Sequence, residues 1–179
     1  PRRVLDQTFR RALQRFRQWS RQSGFDTLDM EKEEQMLQLL VVTPTQLCKC
    51  CLRDMYKRGS GKILNVASVG AFQPGPYTAS YYASKSYLYQ YSQAIRLEAK
   101  KQGVQVCTLC PGSTRTHFFE KTGAKTPIWA MSPERVAKEA WEGLNADKAV
   151  VVPGMINRLL RLVPAQIKAY GVALLKKHT

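Results

Sequence analysis

Two side chains four residues apart, Tyr81 and Lys85, are the clearest candidates for chemistry in this sequence. The segment around them predicts a helix, and residues four apart lie on one helix face. A free tyrosine has a pKa of about 10, and a neighbouring ammonium group favours the phenolate. The pair could therefore donate and accept a proton near neutral pH. The same spacing also occurs in surface Tyr–Lys pairs, so the surrounding sequence has to decide.

Two further motifs flank this pair. Asn65-Val-Ala-Ser68 ends an apolar run, where the Ser68 hydroxyl could hold a substrate oxygen, and Cys110-Pro-Gly-Ser-Thr-Arg-Thr116 ends the next apolar run. A serine after a strand, a YxxxK helix and a PG-xxx-T stretch thus follow one another in order. From Phe25 to Pro153, and more loosely to the end, the chain resembles the short-chain dehydrogenase/reductase family.

The resemblance implies a role for each matching residue. Tyr81 would be the acid/base on the substrate oxygen, Lys85 would lower the Tyr81 pKa and bond the nicotinamide ribose, and Ser68 would hydrogen-bond the substrate oxygen. The nicotinamide of NAD or NADP would be lined by Tyr81, Lys85, Pro111, Gly112 and Thr116. The chain would then reduce a carbonyl or oxidise an alcohol. Over residues 113–130, the aromatic side chains of Phe118, Phe119 and Trp129 would cover an apolar substrate.

The sequence departs from the family pattern in two places. It contains no GxGxxG or GxxxGxG turn, which would hold the cofactor pyrophosphate at a helix N-terminus, and Gly59-Ser-Gly61 precedes a strand rather than following one. We therefore expect this chain to be an N-terminally incomplete member of the family. We expect it to bind NAD(P) poorly and to turn substrate over slowly, if at all. In addition, Leu40 aligns with the family's proton-relay asparagine, unless the alignment is shifted by one helical turn. The determinant that distinguishes NAD from NADP is not found in this sequence.

The elements around the motifs predict an α/β fold. Apolar runs at 62–67, 104–109 and 148–152 predict strands, and helices are predicted at about 30–58, with Pro44 inside, at 79–101 and from Ser132. Alternation of strands and helices favours right-handed crossovers and a parallel sheet. We expect a Rossmann-type sheet flanked by helices and lacking the first strands. The family resemblance further implies a homodimer through the helices at 30–58 and 79–101.

The net charge of +15 is concentrated at the two ends of the 179-residue chain. Residues 1–24 and 155–179 predict basic amphipathic segments around a catalytic half-domain at 25–154, with a kink at Pro164. Such ends are either solvated basic helices or contacts for an anionic partner. For 155–178 we expect weak association with anionic membranes, or packing on the domain or a dimer partner; no nucleic acid is expected. The alternative function is a catalytically impaired remnant that binds a protein or a membrane.

The five cysteines include two CxxC patterns, Cys48–Cys51 and Cys107–Cys110, which resemble half-sites for zinc. Cys107 and Cys110 lie at the end of a predicted strand, where residues three apart point to opposite faces. We therefore expect no metal site. The odd number of thiols and the lack of an N-terminal apolar leader favour an intracellular protein, either cytoplasmic or peripheral to a membrane.

Overall fold

The structure, a computed structural model, describes residues 29–116 and 126–177. Its first element is one long helical stretch, built from α1 (Met30–Leu37), a π-helical turn (Gln38–Val42) and α2 (Thr43–Arg58). Asp29 caps it by accepting a hydrogen bond of 3.0 Å from the Glu31 N–H. The predicted helix at 30–58 is therefore present, and the predicted helical segment at 1–24 lies outside the described residues.

The π-helical turn comes immediately before Pro44, near the start of α2. The Thr43 N–H bonds to the Gln38 carbonyl five residues back, and the Thr43 hydroxyl donates to the same oxygen at 2.8 Å. Because proline has no N–H, the carbonyl of Leu40 cannot receive its α-helical donor from residue 44. The irregular turn thus coincides with the residue aligned to the relay position.

Three parallel strands follow in the order β1 (Gly61–Val66), β2 (Val104–Leu109) and β3 (Val150–Val151). A 3-10 turn (Val69–Phe72) and α3 (Ala79–Lys100) connect the first two strands, and α4 (Pro133–Asn145) precedes the third. The parallel α/β architecture predicted from the sequence is confirmed. Within the described residues, β1 pairs on one side only and is an edge strand of this sheet.

Helices cover both faces of the sheet. On one face, Leu52 of α2 and Ala99 of α3 pack with Val104 and Val106. On the other, α4 packs through apolar side chains against β2 and β3; this core consists of Cys107, Leu109, Val136, Ala140, Leu144 and Val151. Odd-numbered and even-numbered residues of β2 therefore pack into hydrophobic cores on opposite faces of the sheet, as the period of two along a strand requires.

Two short helices end the described chain, α5 (Met155–Leu160) and α6 (Ala165–Lys177). They are separated at Pro164, where the sequence predicts a kink. In the part of the chain that is described, we find no helix with the combination of length and apolar character needed to cross a bilayer. The division into segments at residues 24 and 154 stays a prediction.

Candidate active site

Ser68 lies two residues beyond the end of β1. Its backbone is extended, and its hydroxyl oxygen accepts a hydrogen bond of 3.1 Å from the Gly70 N–H, so Ser68 caps the 3-10 turn that follows. The preceding Ala67 N–H still bonds to the Leu109 carbonyl of β2 at 2.8 Å. Ser68 is therefore the point at which the chain leaves the sheet, with its side chain at the carboxyl edge of the strands.

Helix α3 brings Tyr81 and Lys85 to the same edge. The Ser86 hydroxyl of this helix donates to the Ala71 carbonyl at 2.8 Å, which fixes the first turns of α3 against the 3-10 turn after Ser68. The Tyr81 side chain is hydrogen-bonded with the Ser68 side chain. The Lys85 Nζ lies 5.8 Å from the centre of the Tyr81 ring. The structure thus brings together the three side chains that the sequence singled out.

The Lys85 ammonium group is held by the backbone of β1. Its Nζ donates a hydrogen bond of 2.9 Å to the Val66 carbonyl. Burial lowers the pKa of Lys85 to about 8, and interaction with the Cys110 thiol acts in the opposite direction. A lysine with this pKa is still mainly protonated at neutral pH, but it loses its charge within the range in which enzymes are assayed.

The pKa of Tyr81 differs from the expectation. The resemblance implied that Lys85 lowers it, whereas burial raises the pKa of Tyr81 above its usual value, and the hydrogen bond with Ser68 only partly opposes the rise. The physical reason is the direction of the Lys85 ammonium, which bonds to the Val66 carbonyl. In this arrangement desolvation of the phenol dominates its pKa.

The second predicted stretch, Pro111 to Thr116, follows β2 and runs beside Ser68. The Val69 N–H donates to the Pro111 carbonyl at 3.0 Å, which joins the loops after β1 and β2. A Cβ atom on Gly112 would lie only 2.5 Å from the Asn157 amide oxygen, so a larger residue at this position would have to displace the Asn157 side chain of α5. Thr116 is exposed, at the end of the described stretch.

Sequence reasoning missed Asn157 and Cys110. The Asn157 Nδ2 donates to the Pro153 carbonyl at 2.7 Å and thereby fixes the start of α5 beside Gly112. The Cys110 thiol is fully buried beneath Ser68, whose N–H donates to the sulfur, and burial raises the pKa of Cys110 to about 12. The adjacent Pro111-Gly112 motif could have indicated that Cys110 lies at the site. Asn157 lies on another element, and no motif in the sequence indicated its place there.

A buried polar group behind the site was also missed. The Asn65 Nδ2 donates to the Ser92 hydroxyl at 2.8 Å and to the Cys48 sulfur at 3.4 Å. This network joins β1, α3 and α2 within the core. Its signal in the sequence is an asparagine between the apolar residues Leu64 and Val66 of the strand, since such a buried amide needs partners.

Leu40, aligned with the relay asparagine, lies in the π-helical turn, and that turn packs against α3, the helix of Tyr81. The aliphatic side chain carries no proton donor or acceptor. The assignment of Leu40 to the relay position stays a prediction.

The cysteines lie in separate environments. Cys107 belongs to the core under α4, whereas Cys110 packs with Ala67 and Val152 on the other side of the sheet. Cys48 is buried against Asn65, and Cys51 is exposed. Among residues 29–116 and 126–177 no three histidine, cysteine or acidic side chains are grouped as metal ligands would be.

The aromatic cover predicted for residues 113–130 is described only in part. The Met131 N–H bonds to the Ser113 carbonyl at 2.9 Å, which brings the returning chain beside the loop after β2. Trp129, two residues earlier, is 73% exposed, and Ile128 is 96% exposed. Phe118 and Phe119 lie outside the described residues.

The described residues suit one end of a nicotinamide dinucleotide better than the other. An ammonium donor, a phenol and a hydroxyl meet at the carboxyl edge of the strands, which is where α/β sheets bind such ligands. A pyrophosphate, by contrast, is usually held by a glycine-rich turn between a strand and a helix, and the sequence contains no such turn. The fit therefore concerns the nicotinamide end.

With the geometry established, comparison with known proteins is informative. Residues 19–127, more than half of the chain, match the family model described as short chain dehydrogenase. A 7beta-hydroxysteroid dehydrogenase of Clostridium sardiniense is 28% identical over 137 residues, covering 75% of this chain and 52% of that protein. Mouse (Mus musculus) 17-beta-hydroxysteroid dehydrogenase 13 is 33% identical over 116 residues, covering 62% of this chain and 38% of that protein.

Solved structures give the same family. A short-chain dehydrogenase from Sphingobium yanoikuyae in complex with NADPH superimposes with a TM-score of 0.71 at 25% identity, covering 87% of this chain and 59% of that one. The present chain thus spans about half the length of the bacterial steroid dehydrogenase and less of the mouse protein.

Proposed function

We propose, from the premise that this chain belongs to the short-chain dehydrogenase family, that it takes part in nicotinamide-dependent reduction of a carbonyl or oxidation of an alcohol. The observation that carries the proposal is the meeting of Ser68, Tyr81 and Lys85 at the carboxyl edge of β1. The family membership and the neighbour in complex with NADPH support NAD or NADP as cofactor.

In the proposed reaction, each side chain acts on one atom. Tyr81 donates its phenolic proton to the carbonyl oxygen during reduction, or removes the hydroxyl proton during oxidation. Ser68, already hydrogen-bonded with Tyr81, holds the same substrate oxygen. When bound, the nicotinamide supplies or accepts the hydride.

Lys85 is proposed to hold the nicotinamide ribose and to favour the Tyr81 phenolate. For this the Nζ must turn from the Val66 carbonyl towards the ribose and the phenol. Pro111, Gly112 and Thr116 are proposed to line the nicotinamide, because their loop is joined to the turn after Ser68 through the Val69–Pro111 hydrogen bond.

The proposed substrate is an apolar alcohol or ketone. Two relatives are named hydroxysteroid dehydrogenases. In this chain, the exposed Trp129 and Ile128 flank the loop after β2 and offer apolar surface beside the proposed site.

The experiment compares two adjacent tyrosines. Oxidation of NADH or NADPH by the chain is followed with a panel of apolar ketones for the unmodified chain, Tyr81→Phe and Tyr82→Phe. We expect Tyr81→Phe to lose roughly 100-fold or more in turnover, because general acid catalysis contributes at least that much. Tyr82→Phe keeps the ring that packs on Gly75 and should retain most of the activity. Equal activity of the two variants, or no ketone-dependent oxidation at all, would contradict the proposal.

We also propose that two copies pair through the helices at 30–58 and 79–101. Large apolar side chains are exposed on these helices, including Leu37, Val42 and Leu97. Sedimentation velocity should give a dimer that Leu97→Glu weakens. A monomer for the unmodified chain at every concentration tested would contradict the pairing.

A further inference from the structure

We propose that the outward face of α5 and α6 docks on the surface of an anionic lipid bilayer. Six large apolar side chains on these helices and the bend between them are between 51% and 81% exposed. They form what we call the C-terminal apolar face: Leu159, Leu160, Leu162, Ile167, Tyr170 and Leu174. Large exposed apolar side chains grouped on two consecutive helices of a folded domain mark a contact with a membrane or another molecule.

The two helices are turned so that polar side chains face the domain. The Arg161 guanidinium lies 4.8 Å from the centre of the Phe72 ring and donates to the Tyr89 hydroxyl at 3.3 Å. The Lys168 Nζ donates to the Phe72 carbonyl at 3.3 Å. An ordinary amphipathic surface helix buries its apolar side against the core. Here cations attach the helices, and the apolar residues remain outside.

The start of α5 is fixed in the same manner. Arg158 donates to the Val152 carbonyl at 2.9 Å and pairs with Glu139 of α4 at 3.1 Å. Together with Asn157 at Gly112, these contacts hold α5 in one orientation. The exposure of the C-terminal apolar face is therefore a consequence of specific polar contacts.

Charge favours an anionic surface over a second copy as the occupant. Residues 155–179 contain five lysines and arginines and no acidic residue. Face-to-face pairing of two copies would bring two such segments together, and like charges at an interface oppose association. Arg158, Arg161 and Lys168 bond to the domain, but among the described residues only Arg158 is paired with a carboxylate there, so the segment keeps a net positive charge that attracts an anionic bilayer. The bilayer accepts the apolar side chains between its head groups.

An exposed tryptophan belongs to the segment that packs on the start of α5. Trp129 is two residues from Met131, whose sulfur lies 3.9 Å from the Asn157 Nδ2 of α5. Tryptophan and tyrosine favour the interface between head groups and hydrocarbon, which suits Trp129 and Tyr170. Docking would place the loops after β1 and β2 near the bilayer, where an apolar substrate could reach the site. That access rests on the proposed function, whereas the docking itself does not.

The experiment is flotation of the full 179-residue chain with phosphatidylcholine vesicles, with and without phosphatidylserine. The patch variant is Leu160→Ser combined with Leu162→Ser, and the matched control is Trp141→Ser on α4, which removes a similarly exposed apolar side chain from another helix. We expect flotation that increases with phosphatidylserine. The patch variant should bind roughly tenfold or more weakly, because two leucine side chains no longer enter the bilayer, and the control should be unchanged.

Circular dichroism melting establishes that the variants are folded, and Ile167→Ser replaces the double variant if that one unfolds. Equal flotation of patch variant and control would overturn the proposal, as would no flotation of the unmodified chain. Sedimentation without vesicles addresses the second copy. A dimer lost in the patch variant but kept in Trp141→Ser would assign the face to self-association and also overturn the proposal.

Discussion

The Lys85 ammonium group donates its hydrogen bond to a carbonyl on the unpaired side of β1. The Ala67 N–H points to β2, and neighbouring residues of a strand point in opposite directions, so the Val66 carbonyl faces away from β2. The distance from Nζ to this oxygen is 2.9 Å. The side chain proposed to serve the cofactor is thus engaged by the sheet edge itself.

This contact leads to a prediction about pH. We expect Lys85 to titrate near pH 8, below the usual lysine value of about 10.4, because burial lowers its pKa to about 8. Reductive methylation with carbon-13 formaldehyde, followed by NMR titration and assigned with Lys85→Arg, measures it. A Lys85 signal that titrates at the usual lysine value of about 10.4 would contradict burial of the ammonium group.

The sign of the linked stability effect follows from the same shift. The folded pKa of Lys85 lies below the unfolded value of about 10.4, so between pH 8 and that value the unfolded chain binds more protons. This group alone therefore makes stability rise with pH across that window. The rise should be absent in Lys85→Met, measured by urea denaturation.

Cofactor binding provides a second prediction. The chain should bind NADH and NADPH only weakly, and nicotinamide mononucleotide nearly as well, because the described site has groups for the nicotinamide end and no glycine-rich turn for the pyrophosphate. Isothermal titration calorimetry with the three ligands compares them. Micromolar affinity for a dinucleotide, far above that for the mononucleotide, would show that the pyrophosphate is held by residues not recognised here.

A third prediction concerns Gly103, which precedes β2. Its backbone has φ of +72°, and a Cβ atom would lie 2.2 Å from the Gly59 carbonyl oxygen. We expect Gly103→Ala to cost roughly 2 to 4 kcal/mol, since both the strained backbone and the overlap with a backbone atom must be relieved. Gly171→Ala in α6 meets no atom within 4 Å and should stabilise by about 0.5 to 1 kcal/mol. Thermal denaturation of both variants tests the contrast.

The fourth prediction concerns Arg96 of α3, which connects β2 to the segment before β3. Its guanidinium donates to the carbonyls of Val106 and Asp147, each at 2.7 Å, and pairs with the Asp147 carboxylate at 2.8 Å. Removal in Arg96→Ala leaves part-buried acceptors unpaired and should cost about 1 to 3 kcal/mol. The exposed Lys138–Glu142 pair is the control, and Lys138→Ala should change stability by less than about 1 kcal/mol.

The Arg96–Asp147 ion pair also makes the stability of the fold depend on pH in the acid range. Hydrogen bonding to Arg96 lowers the pKa of Asp147 below its usual 3.8. A carboxylate with a lowered folded pKa contributes stability that is present above the unfolded value and lost as pH falls through the folded value. The difference between the unmodified chain and Asp147→Asn should therefore shrink in strong acid. A difference that is constant from neutral pH to strong acid would contradict the ion pair.

Much of the fold could be predicted because local patterns determine it. The apolar runs that end at Ser68 and Cys110 gave β1 and β2, and the alternation with helices gave parallel pairing, which the comparisons and the structure confirm. The spacing within a motif was also sufficient to predict which side chains lie together, since Tyr81 and Lys85 share a helix face by geometry alone. The roles of these residues stay predictions.

Contacts between distant segments could not be predicted in this way. Asn65 meets Ser92 across 27 positions, and Lys168 meets Phe72 across 96, and no local period reports such pairs. The sequence by itself determined which residues lie at the ends of the strands and on one face of α3. Only the tertiary structure decided that Lys85 turns to the Val66 carbonyl and that Arg161 and Lys168 face the domain, because a charged side chain takes its direction from partners that distant parts of the chain provide.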